Sequence, residues 1–108
     1  MKRFEVEYRP EARSDIDKLY FSVLFISHSL QTADLYFNRL YERCESIGDA
    51  PHGGKRCGPP SFALRMVPFE RSAVILYRVG PRLVEITRIF SSRSDYLKVL
   101  AELDEHSS

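Results

Sequence analysis

The basic side chains in the second half of the chain are the residues most able to do chemistry. Residues 55–98 carry nine basic and three acidic groups, whereas residues 1–54 carry seven basic and nine acidic groups. Guanidinium groups bind phosphate and carboxylate oxygens in bidentate geometry. The basic half therefore predicts a surface for an anionic partner, and the competing interpretation is an ordinary solvated face.

The candidate residues share a position on or beside three predicted strands: Lys55, Arg56, Arg65, Arg78, Arg88 and Arg93. A cation held on a strand is placed more rigidly than one in a loop, which suits recognition of a fixed anionic group. For Arg65 and Arg88 a second interpretation has equal weight. Either could pair with a buried acid or a carbonyl group and hold the sheet to the rest of the fold.

Other chemical signatures are missing from the sequence. It has no Gly-rich phosphate loop, no HExxH, no CxxC and no G-x-S-x-G motif. His52 and Cys57 share one loop but are too few ligands for a structural zinc site. We expect no metal and no cofactor, and we expect Cys44 to be a small buried residue on a helical stripe.

The first half of the chain predicts a strand followed by two helices. Phe4–Tyr8 alternates apolar and acidic residues, as a half-buried strand does. Pro10 suits the first position of a helix that runs to Phe25 or Ile26. Ser29 is a candidate cap for a second helix, and Gly48 is predicted to end that helix in the left-handed conformation.

The second half predicts an antiparallel sheet. A loop spans Gly48–Ser61, and strands are expected at Ser61–Val67, Ala73–Val79 and Leu83–Phe90. The connections between these strands are too short for crossover helices. A short helix is expected at Asp95–Leu103. With 108 residues and 44% apolar content, the chain predicts a single α+β domain over residues 1–108.

The middle strand of this sheet is apolar on both faces. The helical hairpin can cover one face, and the other needs the C-terminal segment or a partner. We expect that second face, with its basic rim, to form an open groove for an amphipathic segment of another protein. No apolar run is long enough to span a membrane, so a cytoplasmic protein without a membrane partner is predicted.

The ordered series of residues resembles the ParE/RelE superfamily of bacterial toxins along nearly the whole chain. The resemblance rests on Tyr8–Ala12, Leu64-Arg65, Tyr77–Val79, Ile86–Phe90 and Arg93–Asp95. It implies a helical hairpin beside one sheet and the toxin role in a type II toxin–antitoxin pair. It also implies a ParD-like antitoxin partner, bound in a hetero-oligomer.

The superfamily contains two mechanisms, and the sequence leaves both open. RelE-like members cut messenger RNA on the ribosome, and that resemblance would assign catalysis to basic residues and a tyrosine: Lys55, Arg56, Arg65, Arg88 and Tyr96. Many of those relatives read R-x-D-x-Tyr, whereas Tyr96 comes one place early. On a helix that shift turns the side chain by about 100°.

ParE-like members are not enzymes and trap DNA gyrase on cleaved DNA. Because this branch needs no acid–base set, it is the favoured interpretation. A third alternative is a module that binds an antitoxin and has lost toxicity. The residues predicted to bind antitoxin or target are Arg65, Arg78, Arg88, Arg93, Tyr96, Leu97 and Leu100.

Overall fold

A five-stranded sheet packs against two helices in the computed structural model, which describes residues 3–91. The helices are α1 (Pro10–Ser27) and α2 (Leu30–Ser46). The strands are β1 (Glu5–Tyr8), β2 (Lys55–Cys57), β3 (Leu64–Phe69), β4 (Ala73–Val79) and β5 (Leu83–Phe90). The predicted α+β class is confirmed. The helix predicted at Asp95–Leu103 lies outside the described residues.

The two helices begin where the sequence predicts. Pro10 occupies the start of α1, where its missing N–H would have no helical partner. Ser29 caps α2, and its hydroxyl oxygen accepts the Thr32 N–H at 3.1 Å. Between them His28 adopts the left-handed conformation with φ of 55°, and its N–H donates to the Leu24 carbonyl. These local contacts set the sharp reversal that brings α1 and α2 side by side.

The sheet has the order β1-β5-β4-β3-β2. β1 pairs in parallel with β5, and β2 to β5 form an antiparallel meander. The meander therefore has four strands, where the sequence predicts three. The added strand is β2, which the sequence places inside the Gly48–Ser61 loop. Three residues between glycines and prolines carry too little period-two pattern to be recognised.

The boundaries of β3 also differ from the prediction of Ser61–Val67. A turn at Pro60–Phe62 and a left-handed Ala63 delay the start of the strand to Leu64. The strand then continues through Pro68, which pairs with Val74 of β4. Because β2 ends opposite Leu64–Met66, Pro68 lies on a free edge where no neighbouring strand needs its N–H.

The main core lies between the helices and one face of the sheet, as predicted. It joins buried residues of both layers, including Leu40 of α2, Ile75 and Tyr77 of β4, and Ile86 of β5. Gly48 closes one end of this core. The prediction of a left-handed Gly48 is wrong, since Gly58 is the glycine with positive φ among residues 3–91. Gly48 is instead required by close approach, because a Cβ there would lie 2.4 Å from the Phe4 carbonyl oxygen.

Neither helix of the described region has both the length and the apolar character needed to cross a lipid bilayer. α1 is the longer, and charged residues occupy its first half.

Cys44 provides a test of this packing. The side chain is fully buried, and burial raises the pKa of the Cys44 thiol to about 12. Because the thiolate is the reactive form, Cys44 should stay protonated and unreactive in the folded protein at pH 8. We expect iodoacetamide to alkylate the half-buried Cys57 first and Cys44 only in denaturant, as followed by mass spectrometry. Equal rates in the folded protein would contradict this packing.

Candidate functional site

The strand register separates the basic residues onto two faces of the sheet. Residues directly opposite each other in an antiparallel pair share a face, and successive residues alternate faces. Arg56 pairs with Arg65, which pairs with Tyr77 of the main core. This row belongs to the helix-side face. Arg56 and Arg65 are therefore on the same side as the helices.

The opposite side of the sheet, which we call the outer face, carries the other cations. Lys55 opposes Met66, Met66 opposes Leu76, and Leu76 opposes Arg88. Arg78 opposes Leu64 on one side and Glu85 on the other, in the next row. Lys55 and Arg78 are exposed, and Arg88 is half-buried.

The apolar part of the outer face forms a second, smaller cluster. Leu64, Leu76 and Phe90 are only 1%, 0% and 4% exposed. The prediction of an uncovered apolar face is therefore wrong at these three positions, and the alternative cover by the C-terminal segment lies outside the described residues. Around them Phe62, Met66 and Val74 are half-buried. The exposed chemistry of the outer face is therefore mainly that of its cations.

Arg88 is tied to the helical layer by a buried carboxylate. Its Nε donates to Asp15 Oδ2 at 2.8 Å, and its Nη2 donates to Asp15 Oδ1 at 3.2 Å. Its guanidinium carbon also lies 5.0 Å from the centre of the Phe90 ring. The structure shows a bidentate ion pair that joins β5 to α1.

Asp15 itself has a role that the sequence analysis does not recognise. β1 ends at Tyr8, so beyond Ile86 the edge of β5 that faces away from β4 has no strand beside it. Asp15 fills that position, since its Oδ2 accepts the Ile89 N–H at 2.9 Å. The helical spacing of Asp15 could have revealed this role, because Asp15 lies three residues after Ala12 and four before Leu19, both buried. An acid on an apolar stripe predicts a buried partner.

Arg65 also forms hydrogen bonds within the protein. Its Nη1 donates to the carbonyl oxygens of His52 at 3.2 Å and Gly54 at 2.8 Å. The Tyr77 hydroxyl donates to the Pro51 carbonyl and accepts the Gly54 N–H, each at 2.9 Å. Burial raises the pKa of Tyr77, which keeps the hydroxyl protonated as a donor. Together Arg65 and Tyr77 hold the segment 51–54 on the sheet.

A pocket of about 360 Å³ adjoins this segment. Its lining includes His52, Arg56 and Arg65 together with the turn at Cys57–Pro60. Arg56 and Arg65 are directly opposite each other, and like charges in that position repel. An anionic group bound between them would relieve the repulsion, so this pocket can hold a carboxylate or phosphate oxygen.

A larger groove of about 780 Å³ lies between β1 and the helical hairpin, and the sequence analysis does not predict it. Val6, Ile16 and Phe37 contribute apolar surface to it. Tyr8 and Tyr41 line the groove with ring centres 5.9 Å apart. Aromatic residues spread over one strand and one helix give no local pattern, which is why sequence reasoning missed the groove.

Tyr8 is fixed in this groove by its hydroxyl, which donates to Glu45 Oε2 at 2.7 Å. Burial and this hydrogen bond both raise the pKa of Tyr8. The ring therefore remains a neutral, rigid part of the groove at physiological pH. Apolar side chains of a bound peptide could pack on it without competing with a charge.

Four of the predicted binding residues lie outside the described residues: Arg93, Tyr96, Leu97 and Leu100. Of the others, Arg78 and Arg88 share the outer face, and Arg65 lies on the helix-side face. Among residues 3–91, no three His, Cys, Asp or Glu side chains are grouped so that they could hold a metal ion.

Comparison with known proteins identifies relatives of this arrangement. Residues 6–96 match the family described as the ParE toxin of the type II toxin–antitoxin system parDE. No curated protein matches the chain by sequence.

Two solved structures share the fold. A chromosomal ParDE toxin–antitoxin system from P. aeruginosa superposes with a TM-score of 0.72 and 19% identity, covering 84% of this chain and 98% of that chain. The RelBE2 toxin–antitoxin complex from Mycobacterium tuberculosis gives a TM-score of 0.63 and 17% identity, covering 83% of this chain and 99% of that chain.

Proposed function

This chain belongs to the ParE toxin family of type II toxin–antitoxin systems, and we propose that it arrests growth by binding DNA gyrase and trapping the enzyme on cleaved DNA. The observation that carries the proposal is the family match over residues 6–96, which includes both helices and all five strands in whole or in part. The proposal places the protein in the cytoplasm, where gyrase acts on the chromosome.

The basic residues that RNA cleavage would use are divided between the two faces of the sheet, and within residues 3–91 only Arg56 and Arg65 of that set share a pocket, which supports a binding function over RNA cleavage. Cleavage by a RelE-like toxin needs cations that converge on one phosphate. Lys55 and Arg56 are successive strand residues and therefore point to opposite faces. Lys55 and Arg88 share a face but are separated by two strands, a distance of about 14 Å between backbones.

The hydrogen bonds of the other two candidate catalytic cations, Arg65 and Arg88, also favour a binding function. Arg65 donates to two backbone carbonyls, and Arg88 forms the bidentate pair with Asp15. A side chain that holds the fold together in this way is poorly suited to follow the developing charge of a transition state. These contacts favour a toxin that acts by binding a protein.

We further propose that an antitoxin neutralises the protein by laying an amphipathic segment into the groove between β1 and the helical hairpin. The aromatic rings of Tyr8, Phe37 and Tyr41 offer apolar surface for anchoring side chains. Two solved structures with this fold come from toxin–antitoxin systems, which supports a partner of that kind. The exposed cations of the outer face, Lys55 and Arg78, are then assigned to the target.

Expression in bacterial cells tests the proposal as a whole. We expect induction of the chain alone to stop growth and to induce the DNA-damage response, which follows from trapped gyrase. Co-expression of the small protein encoded beside it should restore growth. Harmless expression of folded protein would instead favour the module that has lost toxicity. Arrest with cleaved messenger RNA and no DNA damage would favour the RelE-like alternative.

The role of the outer face can be tested with paired substitutions. Lys55→Ala with Arg78→Ala removes two exposed cations of that face, whereas Arg71→Ala with Arg82→Ala removes two exposed cations from the turns. Both variants lose the same charge. We expect the first to need about tenfold more protein for growth arrest, as the loss of about 1.4 kcal/mol of binding would give, and the second to match the parent.

Thermal unfolding provides the control for this comparison, because all four side chains are exposed and neither pair should change stability by more than about 0.5 kcal/mol for each substitution. Equal toxicity of the two variants would show that the outer face does not contact the target.

A further inference from the structure

The end of the helical hairpin extends beyond the core and exposes apolar side chains. The buried residues of α1 stop at Leu19, and those of α2 begin at Ala33. Between them, the most exposed large apolar side chains form what we call the hairpin tip. Its four members are 63%, 80%, 78% and 64% exposed, in the order Phe21, Phe25, Ile26 and Leu30.

The second half of α1 carries no charged side chain, and most of its residues are apolar. Tyr20, Val23 and Leu24 accompany the tip residues there, and none of them is buried. A helical segment that is predominantly apolar is normally buried against another surface. Phe21, Phe25, Ile26 and Leu30 together expose about 500 Å² of apolar surface, which is near the upper end for the largest patch of a monomer.

The charge distribution indicates what kind of surface fits the tip. Residues 19–33 contain no Asp, Glu, Lys or Arg, and Lys18 and Asp34 stand at the two ends of this stretch. A two-fold contact places one patch against the same patch of the second copy, so a patch with an excess of one charge would repel itself. The uncharged tip has no such repulsion. A charged peptide, in contrast, would find no Lys, Arg, Asp or Glu partner among these residues.

We propose that the hairpin tip is a homodimer interface, in which two copies of the chain pack their tips around a two-fold axis. Two patches of about 500 Å² bury about 1,000 Å², the size at which specific protein interfaces begin. An interface at this lower limit of size is expected to be weak and reversible.

Sedimentation equilibrium of the full chain tests the proposal with two matched variants. Ile26→Glu introduces a carboxylate into the tip, and Leu35→Glu introduces one at an exposed apolar position of α2 that is 52% exposed and outside the tip. The two replaced side chains are isomers. We expect the parent chain to dimerise between about 5 and 200 µM, Ile26→Glu to weaken dimerisation at least about tenfold, and Leu35→Glu to leave it within about twofold.

Several results would overturn the proposal. A parent chain that stays monomeric throughout this range would do so, and so would a dimer that Leu35→Glu disrupts and Ile26→Glu does not. If the parent is monomeric and Ile26→Glu instead weakens binding of the co-expressed antitoxin, the tip belongs to that partner. Circular dichroism checks folding, and Phe25→Glu, at an equally exposed position of the tip, provides a second variant with the same expected result.

Discussion

Replacing Asp15 by alanine should lower the free energy of unfolding by about 3 to 5 kcal/mol, the range for breaking a buried ion pair by removing one partner. Asp15 is 7% exposed and accepts hydrogen bonds from two groups of β5, the Arg88 guanidinium and the Ile89 N–H. The substitution removes the hydrogen bonds to both groups. It also leaves the Ile89 N–H without its acceptor at the point where β1 has ended, which adds a desolvation penalty.

Asp17→Ala is the matched control. Asp17 is exposed on the same helix, so the change in helix propensity and in formal charge is the same. We expect its free energy of unfolding to stay within about 0.5 kcal/mol of the parent in urea titrations. Asp15→Asn should lie between the two, because an amide oxygen can still accept one bond. If Asp15→Ala and Asp17→Ala were equally stable, the Asp15–Arg88 pair would not hold β5 to α1.

Replacing Gly54 by alanine should cost about 3 kcal/mol of stability, which combines overpacking with damage to a buried hydrogen-bond pair. A Cβ at Gly54 would lie 2.2 Å from the Tyr77 hydroxyl oxygen and 2.9 Å from the Met66 carbonyl oxygen. Tyr77 is fully buried and cannot swing away, and the Met66 oxygen belongs to the backbone of β3. The segment 51–54 must therefore move off the sheet.

The adjacent glycine, Gly53, provides the control for Gly54→Ala. At Gly53 an added Cβ would meet nothing nearer than the Ala50 side chain at 3.8 Å, and the residue has no positive φ. Gly53→Ala should match the parent or stabilise it slightly by restricting the unfolded chain. Thermal unfolding of both variants measures the difference. Equal melting temperatures for Gly53→Ala and Gly54→Ala would show that Tyr77 does not lock this segment.

Local rules were sufficient for the elements that local sequence controls. Pro10 and Ser29 predicted the starts of the two helices because a missing N–H and a capping hydroxyl act within one turn. The strands at Ala73–Val79 and Leu83–Phe90 were predicted with the observed bounds. Apolar residues make up most of these two strands, so their sequences alone are sufficient to predict them.

Features that depend on contacts between residues far apart in the chain could not be predicted from the sequence. The sequence predicts that a strand ends before Pro68, but β3 continues through Pro68 because the adjoining strand β2 has already ended. The sequence predicts a left-handed cap at Gly48, whereas the structure requires glycine there because the Phe4 carbonyl lies too close for a side chain. Such contacts join residues that are far apart in the chain, so no local pattern records them.

The candidate site was predictable in composition and not in arrangement. The sequence identified Lys55, Arg65, Arg78 and Arg88 as strand cations, but one missed strand and the register decide which face each occupies. The partner of Arg88, Asp15, is 73 residues away in the chain. Without that contact, structural and functional interpretations of Arg88 had equal weight.

The most direct test of the proposed activity measures trapped gyrase and ribosomal cleavage with the same purified protein. Increasing amounts of the purified protein are incubated with gyrase, ATP and supercoiled plasmid. Linear DNA is then quantified after detergent and protease treatment. In parallel the protein is added to ribosomes programmed with a defined messenger RNA. We predict that linear plasmid accumulates with dose and that the RNA stays intact. Intact plasmid together with cleaved RNA would contradict the account.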